Sequence, residues 1–296
     1  MRIEMEKEGS EMLQGICDIH MYASPSFYNT RYLDEIELAQ QARDVGYKAV
    51  LVKCHHTCNA DRAQTVRKVV PGINFFGGIV LNHPVGGLNP EAVEAAIAFG
   101  AKEIWMPSMH AAHHIEFTGA PGYAWGEKTE KKKRPIKGIS VLDSEGKILP
   151  EVYEILDLIA EADIILGSAH LSVEEVFELV KAAKKRGVRK ILIQHPEEGV
   201  TKWTPNQQVE IAGLGAVLEH NAGGLFLARI DPRLIAEAIK EHGPSCGVMA
   251  SGLGNKNMPH PIDGMRMFIR LMLENGISRG DIDLMTKAKP AELLGI

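Results

Sequence analysis

The sequence predicts a (β/α)₈ barrel, and three observations carry that prediction. Eight short aliphatic or β-branched runs recur along the 296 residues, amphipathic stretches separate them, and clear helix-start signals mark the joins. Near-continuous apolar strands that alternate with helices imply a parallel sheet covered on both faces. An open doubly wound sheet would instead need a glycine-rich phosphate loop after the first strand, and none follows it.

The predicted strands are Gly15–His20, Lys48–Lys53, Phe75–Leu81, Lys102–Met106, Ile164–His170, Lys190–His195, Ala216–His220 and Gly247–Ser251. Asn89-Pro90 and Asp231-Pro232 each place a capping side chain before a proline at the first helical position, and Thr204-Pro205 repeats the signal. Ser172 with Glu175 three residues later reads as a capping box. Strand ends are spaced like βαβ units except between Met106 and His170, an interval about twice the others. We therefore expect one barrel domain over residues 1–296 with an insertion after strand 4, residues 107–149. Within it, Gly119–Lys137 is rich in Gly, Pro and Lys, and Ile139–Leu149 reads as a small hairpin about a Ser-Glu-Gly turn. The insertion reads either as a surface loop with a small hairpin or, because loops at the C-terminal ends of barrel strands surround the active site, as a lid.

Composition narrows the function classes. At 45% hydrophobic and 24% charged the chain is an ordinary globular sequence, neither disordered nor fibrous. A net charge of -5 argues against a nucleic-acid or anionic-membrane surface, and the run Lys131–Arg134 reads as a solvated loop. No apolar run approaches the roughly 20 residues of a membrane span, and Met1–Leu13 lacks a secretory apolar region. Cys17, Cys54, Cys58 and Cys246 show no disulfide spacing. These features predict a cytoplasmic protein with a small-molecule substrate, no nucleic-acid or membrane partner, and a homo-oligomer as the base-rate assembly.

The 12 histidines carry the functional signal. His20, His55, His56, His83, His110, His113, His114, His170, His195 and His220 all lie at or just past a predicted strand's C-terminal end, leaving only His242 and His260 elsewhere. Imidazole is the commonest protein metal ligand, and spacing this wide must be assembled by the fold. One histidine each from strands 1, 5 and 6 (His20, His170 and His195) would leave coordination positions open for water and substrate, as catalytic zinc sites do.

Asp18-x-His20, His170, His195 and the tail Lys289-Pro290-Ala291-Glu292-Leu293-Leu294-Gly295 resemble the amidohydrolase superfamily of metal-dependent hydrolases. The stretches DIHMYASPS, LVKCHHTCNADRA, FFGGIVLNHPVGGLNPEAVEAA and IWMPSMHAAHH are similar to a sparsely characterised amidohydrolase-like branch. The resemblance implies a divalent metal, zinc first and manganese or iron next, held by His20, His170 and His195. Two positions depart from the superfamily pattern: Tyr22 stands where a second strand-1 histidine is usual, and Gly252 where strand 8 usually supplies an aspartate. A site with one metal, or with none, is the implication.

The function expected is hydrolysis of an amide, cyclic amide or lactone of a small polar molecule by a metal-activated water. The alternatives are a metal-dependent decarboxylase or lyase on the same fold, and a barrel that binds a small molecule without metal chemistry. With the usual strand-8 base missing, Glu219, His220 and His110 are the candidate bases. Lys53 with His55 is the candidate holder of an anionic group or oxyanion. The expected catalytic set is thus Lys53, His55, His110 and Glu219. Asp18 would orient His20 or bond the barrel floor, and Lys256 after strand 8 could cradle an anion. Cys54-x₃-Cys58 lacks the second ligand pair of a structural zinc site.

Overall fold

The structure is a computed structural model that describes residues 11–27, 29–119 and 136–296. Parallel strands and helices alternate throughout. They are β1 (Cys17–Met21), α1 (Glu35–Asp44), β2 (Ala49–Val52), α2 (Ala60–Val69), β3 (Asn74–Phe76), β4 (Gly78–Val80), α3 (Pro90–Ala98), β5 (Glu103–Trp105) and α4 (Ala112–Thr118). After the insertion come α5 (Pro150–Ala162), β6 (Ile165–Gly167), α6 (Val173–Lys185), β7 (Ile191–Gln194), α7 (Pro205–Gly213), β8 (Val217–Asn221), α8 (Ala222–Leu227), α9 (Pro232–His242) and β9 (Gly247–Ala250). Helices α10 (Pro261–Glu274), α11 (Arg279–Asp283) and α12 (Lys289–Leu294) close the chain.

The ladders run β1-β2-β3 and β4-β5-β6-β7-β8-β9, all parallel. The predicted third strand is therefore one barrel stave broken into β3 and β4 at Gly77. Asn59 makes the break: its Nδ2 donates to Val52 O at 3.0 Å while its Oδ1 accepts from Gly78 N at 2.9 Å. A Cβ on Gly77 would come within 2.6 Å of Asn59 O, so only glycine fits beside that wedge. The ring is completed where β9 meets β1. Gly252 N donates to His20 O at 2.8 Å and Tyr22 N to Leu253 O at 2.9 Å, with Met21 bridging Leu253. Asp18 stitches the same seam, its Oδ1 accepting from Ser251 N at 3.1 Å and His20 N at 3.2 Å. The eight-stave barrel is thus the fold.

Local chemistry accounts for the helices. Asn89 accepts from Glu91 N and Ala92 N, Asp231 from Arg233 N, and both Ser172–Glu175 and Thr204–Gln207 form complete capping boxes. Glu175 reaches further, accepting from Ser140 Oγ at 2.7 Å and Val141 N at 3.1 Å, which fastens the insertion to α6. In that insertion Leu142 bridges Ile148 in antiparallel fashion about the turn Asp143–Lys147. Residues 120–135 of the expected lid, including Lys131–Arg134, lie outside the described residues, as do residues 1–10.

The strand interiors pack Cys17, Ile19, Leu51, Val80, Trp105, Ile165, Leu192 and Val248 into the barrel centre, against Leu293 and Leu294 of α12. Two outer clusters seat the helices on the staves. Burial of each such large apolar side chain stabilises by roughly 1.5–3 kcal/mol, so the rim above stands on a rigid base. No helix among the described residues is long and apolar enough to cross a membrane.

One of the two tightest backbone approaches, at Gly78, offers a test. A Cβ on Gly78 would sit 2.1 Å from Glu103 O and 2.7 Å from the Trp105 ring. Gly78→Ala should cost roughly 3 kcal/mol or more, read as a lower urea midpoint. Gly213→Ala, with nothing within 4 Å, should leave the midpoint unchanged or raise it slightly.

Candidate functional site

The C-terminal ends of the staves bring the histidines together in two groups, and alternation along each strand decides which group a residue joins. On β8, Glu219 points into the barrel mouth and His220 away from it. Glu219 Oε1 lies 2.6 Å from His20 Nδ1. His220 Nδ1 instead meets Glu197 Oε1 at 2.8 Å, and its Nε2 meets His242 Nε2 at 2.9 Å. His220 is thus turned from the mouth towards α9, where it stacks on His242.

Inside the mouth, His20, His170 and His195 do converge. Ring centroids are 6.1 Å apart for His20–His195 and 5.2 Å for His170–His195. Two imidazoles sharing one tetrahedral ion at about 2 Å from each nitrogen have centroids roughly 5 Å apart, so the second spacing matches a shared cation. Each ring has its own second contact. His170 Nδ1 pairs with His114 Nδ1 at 2.7 Å, while His195 Nδ1 is buried without a hydrogen-bond partner and lies 3.7 Å from Glu198 Oε2. His20 donates Nδ1–H to Glu219, which leaves its Nε2 as an acceptor. That carboxylate–histidine arrangement is the one metal-binding histidines usually show. Here, however, the Nε2 lone pair receives the Tyr22 hydroxyl at 2.8 Å. Among the described residues no three His, Cys, Asp or Glu side chains already stand together as a cation site.

Backbone strain positions two of these rings. Ala169 and His195 occupy the left-handed region, with φ of 49° and 35°. The surroundings hold them there: Ala169 N donates to Gln194 Oε1 at 2.7 Å, and His195 N donates to Glu219 O at 2.8 Å. Gln194 in turn donates to Glu103 Oε1 at 2.6 Å. Asn82 gathers the segments after β2, β4 and β5, donating to His55 O and Ser108 Oγ while its Oδ1 accepts from Ser108 N and His110 N.

Lys53 is fully buried, its Nζ hydrogen-bonded to nothing and 5.5 Å from the Trp105 ring. Burial lowers its pKa, opposed by Glu219, Glu103 and Glu198. Glu103 is pushed well above the ordinary carboxyl range by burial, Glu198 up to about 8 and Asp18 up to about 7 for the same reason. Burial, reinforced by the Lys53 ammonium, drives His55 and His195 well below the usual imidazole value. Burial and then His114 do the same to His170. The imidazoles therefore stand neutral at pH 7, with lone pairs available.

A narrow cleft of about 40 Å³ opens over this mouth, space on the order of three waters at roughly 10–15 Å³ each. His55, His170, His195, Tyr22, Glu198 and Arg31 line it, with Met109, Asn29, Asn221 and Asn255 among its other walls. His20, Lys53 and Glu219 stand behind these side chains. His110 lies apart, with its ring 5.2 Å from His83. The position expected for a strand-8 aspartate, Gly252, has φ of +61°, and a Cβ there would fall 2.7 Å from Asn221 Cγ. Asn221 fills that space, so no side chain is accommodated. Cys54, Cys58 and the other two cysteines are free thiols. Arg31, Glu198 and Asn255 escaped the sequence reading, which singles out Tyr22 alone of these four. Only Tyr22's place two residues after His20 gave a signal, because the others reach the cleft from loops.

The donor chemistry fits a divalent cation: neutral His170 and His195 at matching spacing, an orphaned His195 nitrogen, and His20 backed by Glu219. The Tyr22 hydroxyl on His20 is the one competing contact.

Residues 15–219 match a family of unknown function, DUF6282, and the chain belongs to that family. No curated protein matches it by sequence. Among solved structures, a probable dipeptidase from Pseudomonas aeruginosa superposes with a TM-score of 0.66 at 9% identity, covering 100% of this chain and 98% of that one. An amidohydrolase from Pseudomonas aeruginosa gives 0.62 at 11% identity, with 98% of each chain covered. A dihydroxybenzoic acid decarboxylase from Polaromonas sp. JS666, with bound manganese and an inhibitor, gives 0.59 at 12% identity over 95% of this chain and 97% of that one. The fold is that of amidohydrolase-superfamily barrels.

The buried rim should make the protein acid-labile. Burial holds His56 and His110 at about 4 when folded, against 6.5 when exposed. Their contribution is present above pH 6.5 and is lost as pH falls towards 4, because the unfolded chain then binds more protons. The unfolding free energy, read as a falling urea midpoint, should drop over that window by up to about 1.4 kcal/mol per pH unit for buried His110, less for half-buried His56. His110→Gln should flatten the dependence, and an unchanged slope would contradict the assignment.

Proposed function

We propose that this member of the family is a metal-dependent hydrolase acting on an amide, cyclic amide or lactone bond of a small polar molecule. The observation that carries the reading is the convergence of His20, His170 and His195 at one barrel mouth, with Glu219 bonded behind His20. These three histidines would hold one divalent ion, zinc first and manganese or iron next. Such an ion, when bound, polarises a carbonyl and acidifies a water.

The chain's own residues supply the rest. Glu219 keeps His20 in the tautomer whose Nε2 is an acceptor, and Asp18 anchors the backbone of the same residue. Lys53 stands beneath the imidazoles, where its ammonium form adds to burial in keeping them neutral and favours negative charge developing above them. Glu198, a carboxyl in the cleft wall that titrates near neutrality, can hold a proton for a leaving group. His55, steadied by Ser108 Oγ at 2.9 Å and stacked on Tyr22, faces the cleft as a hydrogen-bonding partner for substrate. His110 does not line the cleft, so it receives no role at the reacting atoms. In the same reading residues 1–296 are one barrel domain, and the described part of the proposed lid, 107–149, contributes Met109 to the cleft wall.

A second reading, small-molecule binding without metal, is favoured by the Tyr22–His20 hydrogen bond. Metal content separates the two. After chelation and reconstitution with zinc, elemental analysis should find about one zinc per chain. His170→Ala should abolish it while the circular dichroism spectrum stays intact, and Tyr22→Phe should raise occupancy at limiting zinc. An absence of metal in all variants would leave the binding protein. If metal binds, product analysis on amides, lactones and aromatic carboxylic acids distinguishes hydrolysis from decarboxylation.

A further inference from the structure

Arg31 is the unbalanced charge of the cleft. It follows β1 on a loop bridged in antiparallel fashion to Asn255, and its side chain is only 7% exposed. The guanidinium lies over the Tyr22 ring, 4.6 Å from the centroid, and donates through Nη1 to Asn255 Oδ1. Its Nε–H is buried and meets no acceptor. Among the described residues Arg31 forms no ion pair with any Asp or Glu. Every other buried cation of the mouth has carboxylates around it: Lys53 stands among Glu219, Glu103 and Glu198. Burying a guanidinium without a counter-charge is costly. The expense is explicable where a ligand supplies the missing anion.

We propose that Arg31 is the recognition site for a substrate carboxylate, so that the molecule processed at this rim is a small carboxylic acid whose reactive bond lies towards His170 and His195. The planar guanidinium fork matches the two oxygens of a carboxylate. The cleft holds a group of that size, and Asn29 and Asn255 add polar walls on the same side. Among the described residues Glu198 is the only Asp or Glu that lines the cleft, and it lies against His195, with Oε2 3.7 Å from Nδ1, rather than pairing with Arg31. Lys53, the anion holder expected from sequence, sits behind the cleft wall, so the role passes to Arg31.

This inference rests on the cleft being the substrate site, and it is tested by occupancy rather than turnover. Acetate and acetamide have nearly the same shape and differ in charge. At tens of millimolar, with ionic strength held constant by chloride, acetate should raise the melting temperature of the protein and acetamide should not. Arg31→Met should weaken acetate binding tenfold or more, about the worth of one charge-assisted pair, and Arg31→Lys should retain part of it. Without acetate, Arg31→Met should be at least as stable as the wild type, because it removes an uncompensated buried charge. Equal effects of acetate and acetamide would overturn the proposal, as would acetate binding that survives in Arg31→Met. Tighter binding of inorganic phosphate than of acetate would overturn the carboxylate class. A protein that binds acetate through Arg31 yet takes up no metal would overturn the hydrolase reading alone.

Discussion

Water exclusion at the barrel mouth is the constraint on which the other features depend. Lys53, Asp18, Glu103, Glu198 and Glu219 are all buried in a space ringed by imidazoles. In such surroundings each charge interacts far more strongly than it would in water, and each unpaired polar atom is expensive. The barrel bears that cost because its apolar centre is closely packed beneath. Among the buried side-chain atoms without a hydrogen-bond partner, Lys53 Nζ, His195 Nδ1, Glu219 Oε2, Glu103 Oε2 and Arg31 Nε lie at or just beneath the mouth, while others such as Tyr47 Oη and Gln208 Oε1 lie outside it. Natural proteins keep buried polar groups satisfied unless a ligand, an ion or water completes them.

The same constraint explains the local strain. His195 and Ala169 take a left-handed backbone that their side chains do not favour. They are held by Gln194, Glu219 and Glu103, residues of the inner barrel wall, so the distortion is transmitted from rigid strands. Asn59 and Asn82 do comparable work elsewhere, one wedged in the broken third stave and the other tying three rim segments together. Buried asparagines suit both places because they donate and accept simultaneously.

Tyr22 and Gly252 are linked by one neighbourhood. Gly252 donates its N–H to His20 O, and Tyr22 occupies the His20 lone pair. Asn221 fills the space a strand-8 side chain would need. Tyr22, Gly252 and Asn221 therefore fit one another, and the mouth brings His170, His195 and His20 together within this hydrogen-bond arrangement. Arg31 belongs to the same neighbourhood through its stacking on Tyr22 and its bond to Asn255.

The barrel was legible in the sequence because strand periodicity, proline caps and capping boxes are local signals, and Ser172–Glu175 or Asn89-Pro90 act the same way in the folded chain. The placing of His20, His170 and His195 at one mouth was legible too, since a barrel sends the ends of all its parallel strands to one face. Tertiary structure alone decided which way each rim side chain turns. A one-residue step on β8 puts Glu219 against His20 and sends His220 to His242. The break at Gly77 depends on Asn59, eighteen residues earlier in the chain. Arg31, Glu198 and Asn255 reach the cleft from loops without periodicity, and no pattern in the sequence marks where such a loop returns. Burial and the pairing of charges are properties of neighbours in space, so the unpaired state of Arg31 appears only once the chain has folded.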